Sequence, residues 1–387
     1  MSFPLHLMRF GRVQRLLSVA ILSMLLLVFQ IVPTSHSAAQ SSPRSDFRVA
    51  LITDALGGTI HDGTFNETAY NGLVKAGKDF NLTVSYSESN DVKDYEPSIQ
   101  SFIDQGFNII VTVSFDTQAV TEQFAEKYPK VYFIGIDQAA DGKATSNYVG
   151  ISFREDEGGF LAGALAGMMT HSNVVGVVGG VQIPPVVRFV NGFINGVKYT
   201  NATAQALSVY TSAFDNVDEG QQKARDMIDQ KADVVFGAGG LTGSSAILLA
   251  AQFGIYVIGV DQDEYRTTFR NGKSDPVAAA RILTSSIKRV DTGVYDLVND
   301  ILNNRFTPGT RLFSAASCGI IYAPFHDADN VIPTDVKAKL ASIWSQLAGG
   351  VLQTGAAGDL LPPAPTQAAT ANATATSGPL PKLSDCQ

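Results

Sequence analysis

The chain has 387 residues, 45% of them hydrophobic and 17% charged. That is long enough for two lobes with cores of their own, and too apolar for a disordered chain. The net charge is −8 and the pI about 5.1, with no Lys/Arg-rich run after residue 16. This balance disfavours nucleic acid, whose phosphates require clustered cations.

Arg9, Arg12 and Arg15 precede an apolar run from Leu16 to Val32, which is followed by Pro33, Thr34 and the small residues Ser35, Ser37, Ala38 and Ala39. The layout predicts a secretory signal over 1–39, cleaved after Ala39, and an exported protein. A run of 17 residues is at the lower edge of a membrane span, so an uncleaved anchor is the alternative. Removing the three arginines takes the charge from −8 to −11. No cysteine lies near the cleavage region, so the acylated cysteine of a lipoprotein is missing. The two cysteines, Cys318 and Cys386, could pair outside the cytosol and tie the tail to the body. They lack neighbouring histidines and do not make a zinc site.

Strands and helices then alternate. Val49 to Ile52 form the apolar run of a strand covered on both faces, within 48–53. Asp54 stands at its end, Gly57-Gly58 permits a tight turn, and Asp62 and Thr64 can each cap a helix starting near Phe65. Further strands are predicted at 82–86, 108–113 and 131–136, with helices near 65–80, 93–105 and 117–128. The series repeats with strands near 173–178, 206–210, 232–236 and 255–260 and helices near 184–198, 216–229 and 242–253. The repeat shows most clearly in Tyr-Phe-Ile-Gly-Ile-Asp-Gln at 132–138 against Tyr-Val-Ile-Gly-Val-Asp-Gln at 256–262, about 124 residues apart. Such alternation argues for two lobes with parallel sheets and right-handed crossovers. Between the halves, 148–167 reads as a strand, an acidic helix start and a run of small residues suited to close packing.

After Asp261 the order changes. Residues 264–276 are loop-like, 280–286 a strand, 289–303 a helix, 311–323 a strand pair or hairpin, and 334–347 a helix. These pieces complete the lobes, so the chain is expected to cross between them about three times. The expected division is 46–152 plus 264–305 for the N-terminal lobe and 153–263 plus 306–349 for the C-terminal lobe. The Ala/Thr/Pro-rich segment 350–387 is expected to be a disordered tail.

Enzymatic constellations are scarce. The histidines show no metal-ligand spacing, and there is no nucleophile elbow or Walker loop. Gly237 to Gly243 opens a helix after a strand, with Asp261 about 20 residues on, which leaves a dinucleotide-dependent oxidoreductase as an alternative. A glycine-rich turn beside a ligand is the preferred reading, because the dinucleotide fingerprint belongs on a first strand. No enzyme activity, cofactor or metal is expected. Asp54, Asp137 and Asp261 each follow an apolar strand and would face a shared cleft, where carboxylates accept from ligand hydroxyls or ring N–H groups. Each could instead be a cap. Phe65 and Phe236 are aromatic candidates for sandwiching a flat ring, with core packing the alternative for each. Lys288, after a strand, is a further candidate. Trp344 is expected away from the cleft.

Several of these stretches resemble the basic membrane protein family, whose members are substrate-binding proteins serving ABC transporters. They are Asp-Gly-Thr-Phe-Asn at 62–66, 153–166, 179–189, Val-Val-Phe-Gly-Ala-Gly-Gly at 234–240, and Ser-Ser-Ile-Lys-Arg-Val-Asp at 285–291. The likeness covers roughly 48–349. It implies a type I periplasmic-binding-protein fold, two Rossmann-like lobes joined by a three-stranded hinge, and a nucleoside, chiefly a purine one, held between them. The implied partners are an ABC permease and its ATPase. On this resemblance Phe65 and Phe236 stack on the base; Asp54, Asn66 and Asp137 contact its edge; Asp261 and Lys288 contact ribose hydroxyls; and Gly239 belongs to the ligand-binding set. Thr59-Ile60-His61 lengthens the loop after Asp54 beyond the family pattern. The missing lipoprotein cysteine also departs from it. A ligand-sensing receptor of the same fold is the other reading of the family.

Overall fold

A computed structural model describes residues 47–140, 145–358 and 381–387. The predicted signal segment and most of the predicted tail lie outside these residues.

The strands form two six-stranded sheets. The first has the order β11-β5-β4-β3-β1-β2, with β1 Arg48–Ile52, β2 Thr83–Ser87, β3 Ile109–Thr112, β4 Tyr132–Ile136, β5 Tyr148–Phe153 and β11 Gly309–Phe313. All of its pairings are parallel. The second has the order β12-β10-β9-β8-β6-β7, with β6 Val174–Gly179, β7 Gln205–Tyr210, β8 Val234–Ala238, β9 Tyr256–Asp261, β10 Ile282–Lys288 and β12 Ile320–Tyr322. Only β12 runs antiparallel, against β10. Central strands such as β3 and β8 are buried along their whole length, as expected where helices cover both faces.

Connecting helices are α1 Phe65–Phe80, α2 Tyr95–Asp104 and α3 Gln118–Lys127 in the first lobe, and α4 Glu155–Met169, α5 Pro184–Thr200, α6 Val217–Asp229 and α7 Gly240–Gln252 in the second. A short turn of helix, α8 Pro276–Ala279, precedes β10. Beyond it come α9 Val290–Leu302, α10 Thr334–Ala348 and α11 Leu383–Cys386. The small residues of α4 have a packing reason. A Cβ at Gly159 or Gly163 would strike the carbonyl oxygens of Phe189 or Phe193 on α5, and one at Gly192 or Gly196 would strike the backbone of α4 in return. Two helices so stripped of side chains approach closely.

The final elements are distributed differently from the expected division. β10, expected with the first lobe, pairs with β9 of the second. β11, expected with the second, pairs with β5 of the first. Residues 311–323 are therefore not a hairpin, because β11 and β12 lie in different sheets. A strand's apolar pattern specifies burial, which either sheet supplies equally. α9 returns to the first lobe, where Gly72 of α1 meets the backbone of Asp291.

The chain crosses between sheets after β5, after β10 and after β11. The crossings are bonded to one another. Arg154 N–H donates to Phe313 O at 2.8 Å, and Arg289 N–H to Gly319 O at 2.9 Å. Ala315 N–H donates to a carboxylate oxygen of Glu157 at 2.7 Å. Cys318, in the third crossing, forms a disulfide with Cys386. The segment 381–387 is thus ordered against the hinge, with Arg289 donating to Cys386 O and the Gln387 amide to Tyr322 O, whereas the whole of 350–387 was expected to be disordered. Trp344 is fully buried in the core and donates to Ile320 O.

Candidate functional site

In each lobe the sheet order reverses direction beside its first strand, between β1 and β3 and between β6 and β8. Loops leaving the carboxyl ends of strands diverge at such points and leave a crevice. The two crevices face each other across one cavity. Asp54, Phe65, Asn66, Ser114 and Asp137 line it from the first lobe, and Ile183, Val186, Phe189, Phe214, Gly239 and Asp261 from the second. Lys288, ending β10, completes it. The space between the lobes, counted with the open solvent at its mouth, is about 610 Å3.

The loop after β1 is organised by carboxylates. Asp54 accepts from Leu56 N–H at 2.8 Å and from the Asn66 amide at 2.8 Å. Asp62 takes the N–H groups of Thr64, Asn66 and Glu67 at 2.8 to 3.1 Å and so caps the first turn of α1, while the Thr64 side chain makes no cap bond. Gly58 has a steric reason: a Cβ there would strike the Asn66 amide and crowd Asp54.

Asp137 and Asp261 end the repeated strand motif, and both have left-handed backbone, φ 60° and 64°. Aspartate tolerates this region better than most residues. The conformation turns each carboxylate out of its sheet and into the cavity. Lys288 Nζ lies 2.6 Å from Asp137 and 2.9 Å from Glu155, the first residue of α4. Arg188 on α5 holds the other oxygen of Glu155 at 2.7 Å. Lys288 also sits 4.8 Å from the centre of the Phe65 ring.

Burial dominates the protonation of these acids. It pushes the Asp54 carboxyl up to about 6, against the Asn66 hydrogen bond. It pushes Asp261 up to about 7, with Lys288 opposing and the Asp137 charge assisting. Asp137 is likewise raised by burial, with Lys288 opposing. Burial alone would lower Lys288, but Asp137, Glu155 and Asp261 outweigh it and hold the ammonium charged.

Of the residues singled out from sequence, Phe236 is the exception. Its ring is fully buried within the second lobe, stacked on Phe193 and edge-on to Phe189, and it does not line the cavity. β8 is covered on both faces, so an aromatic residue inside it packs in the core. The cavity's aromatic residues from the second lobe are instead Phe189 and Phe214. Phe189 lay within the quoted 179–189 stretch. Phe214 follows β7 in a loop without periodicity, and only its place after a strand end hinted at it. The glycines of 237–243 have packing reasons of their own: Cβ atoms at Gly237 and Gly239 would meet the backbone of Gly243 and Gly180.

Residues 49–345 match the Bmp family, described as ABC transporter substrate-binding protein PnrA-like. The chain belongs to the Bmp family. It is 32% identical over 320 residues to a CD4+ T-cell-stimulating antigen of Listeria monocytogenes, covering 79% of this chain and 87% of that protein. It is 30% identical over 291 residues to the ABC transporter nucleoside-binding protein BmpA of Lactococcus lactis, covering 71% and 81%. A solved ABC transporter solute-binding protein from Aeropyrum pernix shares the fold, with TM-score 0.69 at 24% identity over 79% of this chain and 92% of that one. This Bmp chain is therefore a substrate-binding protein of the ABC-transporter type, with the type I periplasmic-binding fold.

Proposed function

We propose that the chain binds a nucleoside between its lobes and presents it, outside the cytoplasm, to an ABC permease driven by its ATPase. The observation that carries this reading is a cavity combining aromatic rings from different lobes, Phe65 and Phe214, with carboxylates at three strand ends. Rings offer faces to a flat base, and ionised carboxylates accept from hydroxyl and ring N–H donors. The nucleoside-binding relative from Lactococcus lactis supports it.

In this reading Phe65 and Phe214 flank the base, while Asp54, Asn66 and Asp137 meet its polar edge. Asp261 and Lys288 take ribose hydroxyls, and Gly239 lets the base approach the backbone. Lys288 has three N–H donors. Asp137 accepts from one, Glu155 adds its charge at 2.9 Å without a hydrogen bond, and the remaining donors serve the ligand. Lobe closure excludes water and strengthens each of these bonds.

Calorimetry with inosine, adenosine, guanosine, uridine and free ribose tests the proposal. Nucleosides are expected to bind and ribose to give no heat. Binding of ribose without binding of any nucleoside would overturn it.

A further inference from the structure

Ser114 stands just past β3 and lines the central cavity on the same lobe as Asp54 and Asp137. Its backbone has φ 82° and ψ 157°, outside the left-handed helical well and in a region that glycine occupies almost alone. The surroundings hold it there. Its carbonyl oxygen accepts from the Thr117 N–H at 3.3 Å, the Thr117 hydroxyl at 2.9 Å and the Gln138 amide at 3.1 Å. Gln138 follows Asp137 and is fully buried, so the strand end that carries Asp137 also fixes Ser114. Glycine would adopt this conformation without strain; what serine adds is a hydroxyl.

That hydroxyl has no internal task. Ser114 precedes the helical turn at Phe115–Thr117, but its side chain makes no capping bond. The residue is 4% exposed. Its hydroxyl makes no hydrogen bond among the described residues and, unlike Oδ1 of Asp137, is not sealed off. The cavity it lines is the central one.

The polar side chains beside it only accept. The Asn66 amide gives its two N–H donors to Asp54 at 2.8 Å and to Asp62 at 3.1 Å, which leaves its oxygen. Asp54 presents a carboxylate, and so does Asp137, paired with the Lys288 ammonium. Among the described side chains lining the cavity from the first lobe, Ser114 alone keeps a donor. A nucleobase edge carries acceptors beside its donors, and an acceptor taken out of water needs a partner.

We propose that the Ser114 hydroxyl donates to an acceptor of the base, a carbonyl oxygen or an unprotonated ring nitrogen, and that Ser114 is a specificity determinant of the site. The inference rests on the nucleoside reading of the cavity. The carboxylates select base donors, and Ser114 selects a base acceptor.

Calorimetry on the full chain at pH 8 tests it. At that pH Asp54, which burial pushes up to about 6, is ionised and cannot donate. The ligands are the nucleoside that binds tightest and analogues with one base acceptor removed or weakened: a deaza compound for each ring nitrogen and a thio compound for each carbonyl. The wild type is expected to bind at least one analogue about tenfold more weakly than the parent. Ser114→Gly and Ser114→Ala should each bind the parent about tenfold more weakly, and that analogue within about twofold of the parent. Alanine keeps the Cβ, so it separates loss of the hydroxyl from added backbone freedom. Ser114→Gly should hold or raise the urea midpoint, because glycine fits the backbone. Unchanged affinity for the parent in either variant, no analogue loss in the wild type, or a loss that persists in both variants overturns the assignment and leaves the nucleoside reading standing. A wild type that binds no nucleoside overturns both.

Discussion

Asp261 is buried and stands near Asp137 and Lys288. Burial raises its pKa to about 7, so the folded state holds its proton more tightly than the unfolded chain does. The linkage sign follows: stability is retained below the ordinary carboxylate range and is lost as pH rises through about 7. Asp261→Asn should therefore raise the melting temperature of the ligand-free protein at pH 8, and the gain should fade towards pH 4. A gain that is equal at both values would show that Asp261 is not desolvated. The same substitution should weaken nucleoside binding about tenfold or more, because a hydroxyl loses a charged acceptor. The phenylalanines separate stability from binding. Phe236→Leu should cost about 1–2 kcal/mol in urea unfolding through lost core packing, with affinity nearly unchanged. Phe214→Ala should do the reverse, lowering affinity about tenfold with little change in the unfolding midpoint. The aspartates were legible because a repeated strand motif ends in each. Phe214 was not, because a loop aromatic carries no period.

Among the elements, the terminal strands and the tail depart most from a chain-order reading. β10 and β11 exchange sheets relative to the expected division, and this exchange moves the second and third crossings to the two sides of the segment from α9 to β11. The third crossing is tied to the chain end by Cys318–Cys386, across a sequence separation of 68. Closing a loop of that length restricts the unfolded chain by about 4 kcal/mol in the chain-entropy model. Cys386→Ser, or reduction of the wild type, should lower the melting temperature by several degrees and make residues 381–387 accessible to carboxypeptidase. An unchanged melting temperature on reduction would show that the bond adds nothing to the free energy of folding. The pairing was one possibility among the sequence's options, and contact between distant segments decides it.

At the scale of the whole molecule the lobes are closed upon each other. The Gln262 amide donates to Thr64 O at 2.8 Å, and the Thr267 hydroxyl to Gly63 O at 3.0 Å. Lys288 meets Asp137 across the same gap, from the second sheet to the first. Opening exposes these groups to water, so the equilibrium between open and closed forms depends on small terms. Lys288→Met leaves Asp137 without its cation in the closed form, while Glu155 keeps Arg188, at a cost of about 3–5 kcal/mol. Small-angle scattering should find that variant open whether or not a nucleoside is added, and the wild type contracting on saturation. Identical scattering from both proteins would argue against the pair as a closure contact. Ligand at about one hundred times Kd should stabilise the wild type by about 2.7 kcal/mol through mass action alone.

The sequence by itself determined the alternation of strands and helices, the doubling of one architecture, and the strand-end carboxylates. All of these are written in short-range periodicity and in one repeated motif. Only the tertiary structure decided which sheet takes β10, β11 and β12, that Phe236 faces the core while Phe214 faces the cavity, and that Cys318 meets Cys386. The physical reason is that local pattern specifies how deeply a residue is buried but not against what. For a strand covered on both faces, either sheet satisfies the pattern, and the choice between them is made by contacts far apart in the chain.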